Sequence, residues 1–305
     1  MIKPKPLQQG DSVAIIAPAS PVDKTLIDKC VSSLKDLGLE VVVGTSCLSD
    51  HGFLSGTDDI RANDINRMFA DKNIKGIFAI RGGYGCARLL DLIDFKMIKK
   101  NPKIFVGYSD ITALHIAINQ KSKLITYHGP MVSTELIKGL DEYSADYYKR
   151  FLFSKENINE IFNPIGCNLE VISHGIANGQ LIGGNLSLVC SSLGTKYEIN
   201  TKNKILFLEE VDETPYKIDR MLLHLKQSGK FKDASGIILG SFTNCIASAN
   251  KKSLSLEEVF NEIILPLKKP TISKLVCGHC LPTLTLPLGS NVILDANEKR
   301  IKLIH

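Results

Sequence analysis

The chain of 305 residues has no tryptophan, and aromatic side chains make up only 7% of it. It also lacks any apolar run near the roughly 18 residues that cross a bilayer, so no membrane-spanning segment is expected. Its opening stretch, Met1 to Asp11, carries basic residues but no apolar core, which is not the pattern of a secretory signal peptide. No strong excess of one charge is present: 37 basic and 32 acidic residues leave +5, spread along the whole length. That balance is too even for a nucleic-acid footprint, and few aromatics remain to stack on bases. Lys72, Lys75, Lys251 and Lys252 read as solvated loop charges, and nucleic acid is not an expected partner. Neither G-x-x-x-x-G-K-[ST] nor a complete G-x-G-x-x-G occurs, which argues against a nucleoside triphosphate or dinucleotide site. Cysteine is not scarce. The eight residues (30, 47, 86, 167, 190, 245, 277 and 280) are scattered, and with no export signal they are expected as reduced thiols in a cytoplasm.

At about 100–200 residues per domain the length fits two domains. In the first half, short apolar runs at Ser12–Ala17, Glu40–Val43, Gly76–Ile80, Lys103–Val106 and Leu124–Tyr127 read as buried parallel strands. Helical spacing lies between them: Leu26, Cys30, Leu34 and Leu37; Ile60, Ile65 and Phe69; Leu89, Leu90 and Ile93. The alternation predicts an open, mostly parallel sheet with flanking helices over residues 1–156. Asn157–Asn168, polar and broken by Pro164 and Gly166, reads as a linker. Residues 169–305 predict a smaller α/β or β-rich domain. Its strands are expected at Leu169–Ser173, Gln180–Ile182, Lys204–Leu208, Gly236–Leu239, Asn291–Leu294 and Arg300–Ile304, its helices at Leu186–Leu193, Pro215–Gln227 and Leu256–Ile264.

Ligands in open α/β sheets bind at the carboxyl ends of strands, so strand-to-helix turns carry the candidates. In Lys103-Ile-Phe-Val-Gly-Tyr-Ser109-Asp110 a strand meets a tight turn bearing a serine, followed by a helical run. Such a serine is held out of the sheet beside a helix N-terminus, as a nucleophile requires. Ile111 stands where G-x-S-x-G has its second glycine, and Ser109 as a plain N-cap explains the same spacing. Arg81-Gly82-Gly83-Tyr84-Gly85 follows another strand, where glycines let backbone N–H groups converge on an anion; a plain tight turn fits equally. Lys204-Ile-Leu-Phe-Leu-Glu209-Glu210-Val-Asp212-Glu213 drives a strand into four carboxylates. These suit solvation, pairing with the next helix, orientation of a histidine, or binding of Mg²⁺ or Ca²⁺. Cys277-Gly278-His279-Cys280 invites a thiol oxidoreductase, but Pro282 and Pro287 read as loop and strand rather than the helix that chemistry needs. Zinc would require further ligands. His279 and His128 lie at strand ends and His115 on the helix after Ser109, whereas His51, His174, His224 and His305 look peripheral. A serine, an acid and a histidine in that order can form a nucleophilic triad.

Taken together, these segments resemble the LD-carboxypeptidase family of serine peptidases along nearly the whole chain. The resemblance rests on Gly10-Asp-Ser-Val-Ala-Ile-Ile-Ala-Pro-Ala-Ser20, Gly56-Thr-Asp-Asp-Ile-Arg61, Arg81-Gly-Gly-Tyr-Gly85 and Gly107-Tyr-Ser-Asp110. It continues through His128-Gly-Pro130, Gly183-Gly-Asn185, Phe207-Leu-Glu-Glu210 to Asp219-Arg220, and Gly278-His279. It implies Ser109 as nucleophile, His279 as general base and Glu209 as the orienting acid, with Glu210 the alternative. The backbone N–H groups of Asp110 and of Gly82 or Gly83 would form the oxyanion hole. The family implies an α/β N-terminal domain and a smaller C-terminal domain with the site between them, commonly a homodimer, using neither metal nor cofactor. It further implies a murein tetrapeptide as substrate, losing its terminal D-alanine in cytoplasmic recycling of cell-wall peptides. One branch resembles the microcin C self-immunity peptidase, which cleaves aminoacyl-nucleotides and stacks a tryptophan on the base; with no Trp here, the cell-wall substrate is expected. Cys277 and Cys280, flanking His279, depart from the family pattern.

Overall fold

The computed structural model describes residues 1–247 and 252–305, so Lys251 lies outside the described residues. The chain forms two compact units. The first comprises Met1–Glu156 with Thr285–Gly289, the second Asn157–Leu284 with Ser290–His305.

In chain order the first unit runs β1 (Ser12–Ile16), α1 (Ile27–Lys35), β2 (Glu40–Val43), α2 (Asp58–Ala70), β3 (Ile74–Ala79), α3 (Phe95–Lys100), β4 (Ile104–Gly107), α4 (Thr112–Ser122), β5 (Thr126–His128) and α5 (Glu142–Leu152). There follow β6 (Glu160–Ile161), β7 (Glu170–Ser173), β8 (Ile176–Asn185), α6 (Leu186–Ser191), β9 (Lys204–Val211), α7 (Pro215–Gln227), α8 (Lys230–Asp233), β10 (Gly236–Thr243), α9 (Leu256–Ile263) and β11 (Thr271–Ser273). The last strands are β12 (Leu286–Leu288), β13 (Asn291–Asp295) and β14 (Arg300–Ile304).

Among the described residues the first sheet has the order β12-β5-β4-β3-β1-β2. Its strands β1 to β5 are parallel, and β12 pairs antiparallel with β5. The order 2-1-3-4-5 is that of a doubly wound sheet, with its switch point beside β1 and β3. The central strands are apolar on both faces because helices cover both: on one, Val13, Ile15, Phe78 and Val106 pack with Cys30 and Leu34 of α1 and Tyr148 and Leu152 of α5, and on the other Phe105 meets Phe69 of α2 and His115 of α4. The second sheet runs β6-β14-β13-β8-β9-β10-β11-β7, parallel from β8 through β11 and antiparallel toward both edges. Ser255 and Glu258 close a capping box at the start of α9, whereas α7 opens on Pro215, which has no N–H to satisfy.

Three local expectations need correction. Residues 157–168 belong to the second unit, and Glu160–Ile161 pair with β14, because a two-residue edge strand leaves no period in the sequence. Residues 285–289 belong to the first unit although they sit within the stretch read as the second; Pro287 is tolerated because β12 is an edge strand. The segment bearing Leu89 and Leu90 is a 3₁₀ run, Cys86–Leu92, rather than an α-helix. On α2, the buried side chains include Arg61 and Asp64 beside Ile65 and Phe69.

Candidate active site

Ser109 stands at the end of β4 with φ +63°, a left-handed conformation that costs a non-glycine residue roughly 1–2 kcal/mol. It opens the 3₁₀ turn Ser109–Ile111 that leads into α4, and Tyr108 holds the cap position without a side-chain capping bond, so Ser109 is not an N-cap. Strain of this kind persists only where neighbours over-determine it. Here they do so on three sides. The Gly107 carbonyl accepts from Gly129 N (3.2 Å) and from His115 Nε2 (2.8 Å), while His115 Nδ1 meets Thr126 Oγ1 at 2.8 Å. The Tyr108 hydroxyl donates to Glu135 Oε1 (2.8 Å), whose other oxygen accepts from Met131 N (2.8 Å). The Asp110 carboxylate accepts from Cys86 N (2.8 Å). Burial lowers the pKa of His115 to about 4, so it is neutral and serves as a strut. Burial also raises the Asp110 carboxyl, opposed by the Cys86 N–H and the Arg61 charge.

The glycine turn after β3 meets the serine directly. A β-carbon on Gly82 would lie 2.8 Å from Ser109 Cβ and 3.0 Å from its Oγ, so only glycine admits this approach. Gly83 has φ +120°, and its missing β-carbon would sit 2.2 Å from Ser20 Oγ. Ser20, in the loop after β1, accepts from Tyr84 N at 3.2 Å. Loops after three neighbouring strands, β1, β3 and β4, thus converge around Ser109. Arg81 donates through Nη1 to Pro21 O (3.3 Å), whereas Arg220 is exposed in the second unit.

In the second unit Glu209 and His279 are hydrogen-bonded. Glu209 is fully buried, and its Oε2 accepts from His279 Nδ1 at 2.8 Å and from the His279 backbone N at 3.3 Å. A carboxylate only accepts, so Nδ1 carries the proton and the neutral ring's lone pair lies on Nε2, the tautomer a general base needs. Glu209 Oε1 is buried with no hydrogen-bond partner among the described residues, leaving carboxylate charge to stabilise an imidazolium. Gly278 allows the two to meet, since a β-carbon there would fall 2.5 Å from Glu209 Oε2.

The four carboxylates do not form one cluster. Glu210 binds Asn185 Nδ2 (2.7 Å) and the Ser187 N–H (2.8 Å) and hydroxyl (2.6 Å) at the start of α6. Asp212 accepts from Asn244 Nδ2, and Glu213 pairs with Lys217. Among the described residues no group of three or more His, Cys, Asp or Glu side chains is placed to hold a metal. The thiols are free, and burial raises the pKa of Cys277 well above its ordinary value, opposite to what an attacking thiol requires. Cys277 Sγ donates to Leu284 O and Cys280 Sγ to Pro282 O, which stitches the loop that carries His279.

The sequence matches the LD-carboxypeptidase N-terminal domain over residues 13–129 and the LD-carboxypeptidase C-terminal domain over residues 178–294. The chain belongs to the LD-carboxypeptidase family. It is a serine carboxypeptidase. A probable murein peptide carboxypeptidase of Bacillus subtilis is 44% identical over 301 residues, covering 97% of this chain and 92% of that protein. The structure is similar to that of MccF in complex with glutamyl sulfamoyl guanosine (TM-score 0.90, 26% identity, 99% and 98% of the two chains). It is also similar to a muramoyltetrapeptide carboxypeptidase from Oxalobacter formigenes (TM-score 0.83, 28% identity, 96% and 97%).

Within this LD-carboxypeptidase, Ser109, Asp110, Gly82 and Gly83 come together in the first unit, and Glu209 and His279 in the second. Sequence reasoning passed over the side chains of Ser20, Arg61 and Asp110. A charged residue at a buried position of α2 was the available signal for Arg61. Among the described residues, no helix is long and apolar enough to cross a membrane.

Proposed function

We propose that this carboxypeptidase hydrolyses the L–D bond to the terminal D-alanine of murein tetrapeptides. The observation that carries the reading is Ser109, a non-glycine residue held at φ +63° at the end of β4 beside a turn that admits only glycine. Ser109 Oγ attacks the scissile carbonyl while His279 Nε2 takes its proton. Glu209 keeps the imidazole in the required tautomer and stabilises the imidazolium. The N–H groups of Asp110 and of Gly82 or Gly83 bind the tetrahedral oxyanion. His279 then returns the proton to the leaving amine of D-alanine, and water releases the acyl group. The substrate is supported by the 44% identical relative, named as a murein peptide carboxypeptidase. On the family's pattern we place the activity in cytoplasmic recycling and in a homodimer.

The likeness to MccF supports a second reading, hydrolysis of aminoacyl-nucleotides, against which stands the absence of tryptophan. Incubation with a murein tetrapeptide, the pentapeptide and an aminoacyl-adenylate analogue separates the two. D-Alanine release from the tetrapeptide is expected, lost in Ser109→Ala; full release by that variant sinks the serine mechanism, and cleavage of the adenylate alone sinks the cell-wall substrate.

A further inference from the structure

A single peptide group in the first unit is gripped from both ends by buried charge. The Gly85 carbonyl accepts from Arg61 Nη1 at 3.1 Å, and the N–H of the same peptide, that of Cys86, donates to Asp110 Oδ2 at 2.8 Å. Arg61 is 0% exposed and Asp110 1%. Arg61 is itself anchored, through Nη1 to Pro18 O (2.7 Å), through Nε to Gly56 O (3.2 Å) and through Nη2 to Asp58. Burying an ionised group is expensive unless it is paired and hydrogen-bonded. A buried cation and a buried anion thus meet at opposite ends of one peptide, with Arg61 also held by Pro18, Gly56 and Asp58.

Holding both the C=O and the N–H of a planar peptide fixes the orientation of that plane, and with it ψ of Gly85 and φ of Cys86. Gly85 has φ +131°, a region open in practice to glycine, and a β-carbon there would strike Arg61 Nη1 at 2.5 Å. The chain just before it is the turn Gly82-Gly83-Tyr84, whose conformational freedom is high because it is glycine-rich. The residue gripping the N–H, Asp110, follows Ser109 directly. The side chain of Asp110 therefore ties the end of the glycine turn to the residue whose own N–H is the second oxyanion donor. We infer that Arg61 and Asp110 are positioning residues that clamp the Gly85–Cys86 peptide and so set the spacing between the two oxyanion-binding turns. The inference rests on the assignment of Ser109 as nucleophile and adds what holds its oxyanion donors in place.

Donors must stand about 2.7–3.1 Å from the oxyanion, and loss of one donor typically lowers kcat by about 10²–10³. A clamp acting on donor placement is felt in the transition state more than in substrate binding. The test uses the full chain with murein tetrapeptide, recording kcat, KM and the thermal unfolding midpoint. Asp110→Ala removes the acceptor; Asp110→Asn keeps an acceptor oxygen but loses the charge facing Arg61. The expected order of kcat is wild type, then Asn, then Ala, with the last down about 100-fold and KM within about threefold. Adding Arg61→Met to Asp110→Ala is expected to lower kcat little further, since both act through one peptide. Wild-type kcat in folded Asp110 variants, or a loss carried by KM, overturns the clamp, as does a fully additive double variant. Should Asp110→Ala fail to fold, Asp110→Asn decides alone: at least about a threefold loss of kcat at constant KM supports the clamp, and wild-type kcat overturns it. Ser109→Ala runs alongside. If it retains activity the serine assignment itself is wrong; if it is inactive while the Asp110 variants keep wild-type kcat, only the clamp fails.

Discussion

Adjacent side chains of a strand leave on opposite faces, and Glu209 and Glu210 show what that does to two identical carboxylates. Both are buried in β9. Glu209 faces His279, and Glu210 faces Asn185 and Ser187. Chain order alone leaves the acid ambiguous between them; the pleat separates them. The two are therefore expected to fail differently. Glu209→Gln removes the charge that holds the imidazolium, and kcat is expected to fall by about 10³–10⁴ with the fold intact. Glu210→Gln weakens the bonds at the start of α6, and a loss of about 1–2 kcal/mol in chemical denaturation is expected with kcat near wild type. Equal kcat losses in both variants contradict the assignment.

At the scale of elements, the loops after β1, β3 and β4 matter more than the strands they leave. Strands β1 to β5 announce themselves as short apolar runs because a sheet covered on both faces has no polar side to show. The turns are harder to read: Gly83 is recognisable as a glycine, but the lack of room for a β-carbon there comes from Ser20, more than sixty residues earlier. Gly83→Ala forces a β-carbon onto Ser20 Oγ and into a conformation that L residues rarely adopt. It is expected to lower kcat at least about tenfold, as misplacement of an oxyanion donor does. Combining it with Ser20→Gly removes the steric half of the problem, and partial recovery of kcat is the measurement that separates clash from backbone strain.

At the scale of the molecule, the struts that shape the site also govern its response to acid. His115 has a pKa of about 4 in the fold, against an ordinary value of 6.5, because burial disfavours its charged form. Between about pH 6.5 and pH 4 the unfolded chain takes up a proton at this histidine that the folded chain refuses. Stability is thus complete above that window and falls as pH drops through it, by on the order of 3 kcal/mol from this group. Urea midpoints at pH 7 and pH 4.5 check the sign. His115→Gln is expected to be less stable at pH 7 but to lose less on acidification, and an identical acid loss in both proteins removes His115 as the cause.

Composition and pattern by themselves determined the class of molecule: α/β structure, and strand-end motifs whose joint order resembles one peptidase family. Those are properties of local sequence, set by side-chain period and by glycine and proline chemistry, and they survive being read along a line. Only the tertiary structure set Glu209 against His279 and Glu210 against Asn185 and Ser187, and denied Ser109 the role of a cap. It also carried Leu286–Leu288 to the edge of the first sheet and buried Arg61 against the Gly85 carbonyl. Each of these depends on a partner distant in sequence, and a hydrogen bond or a steric exclusion exists only once the fold has brought both of its ends together.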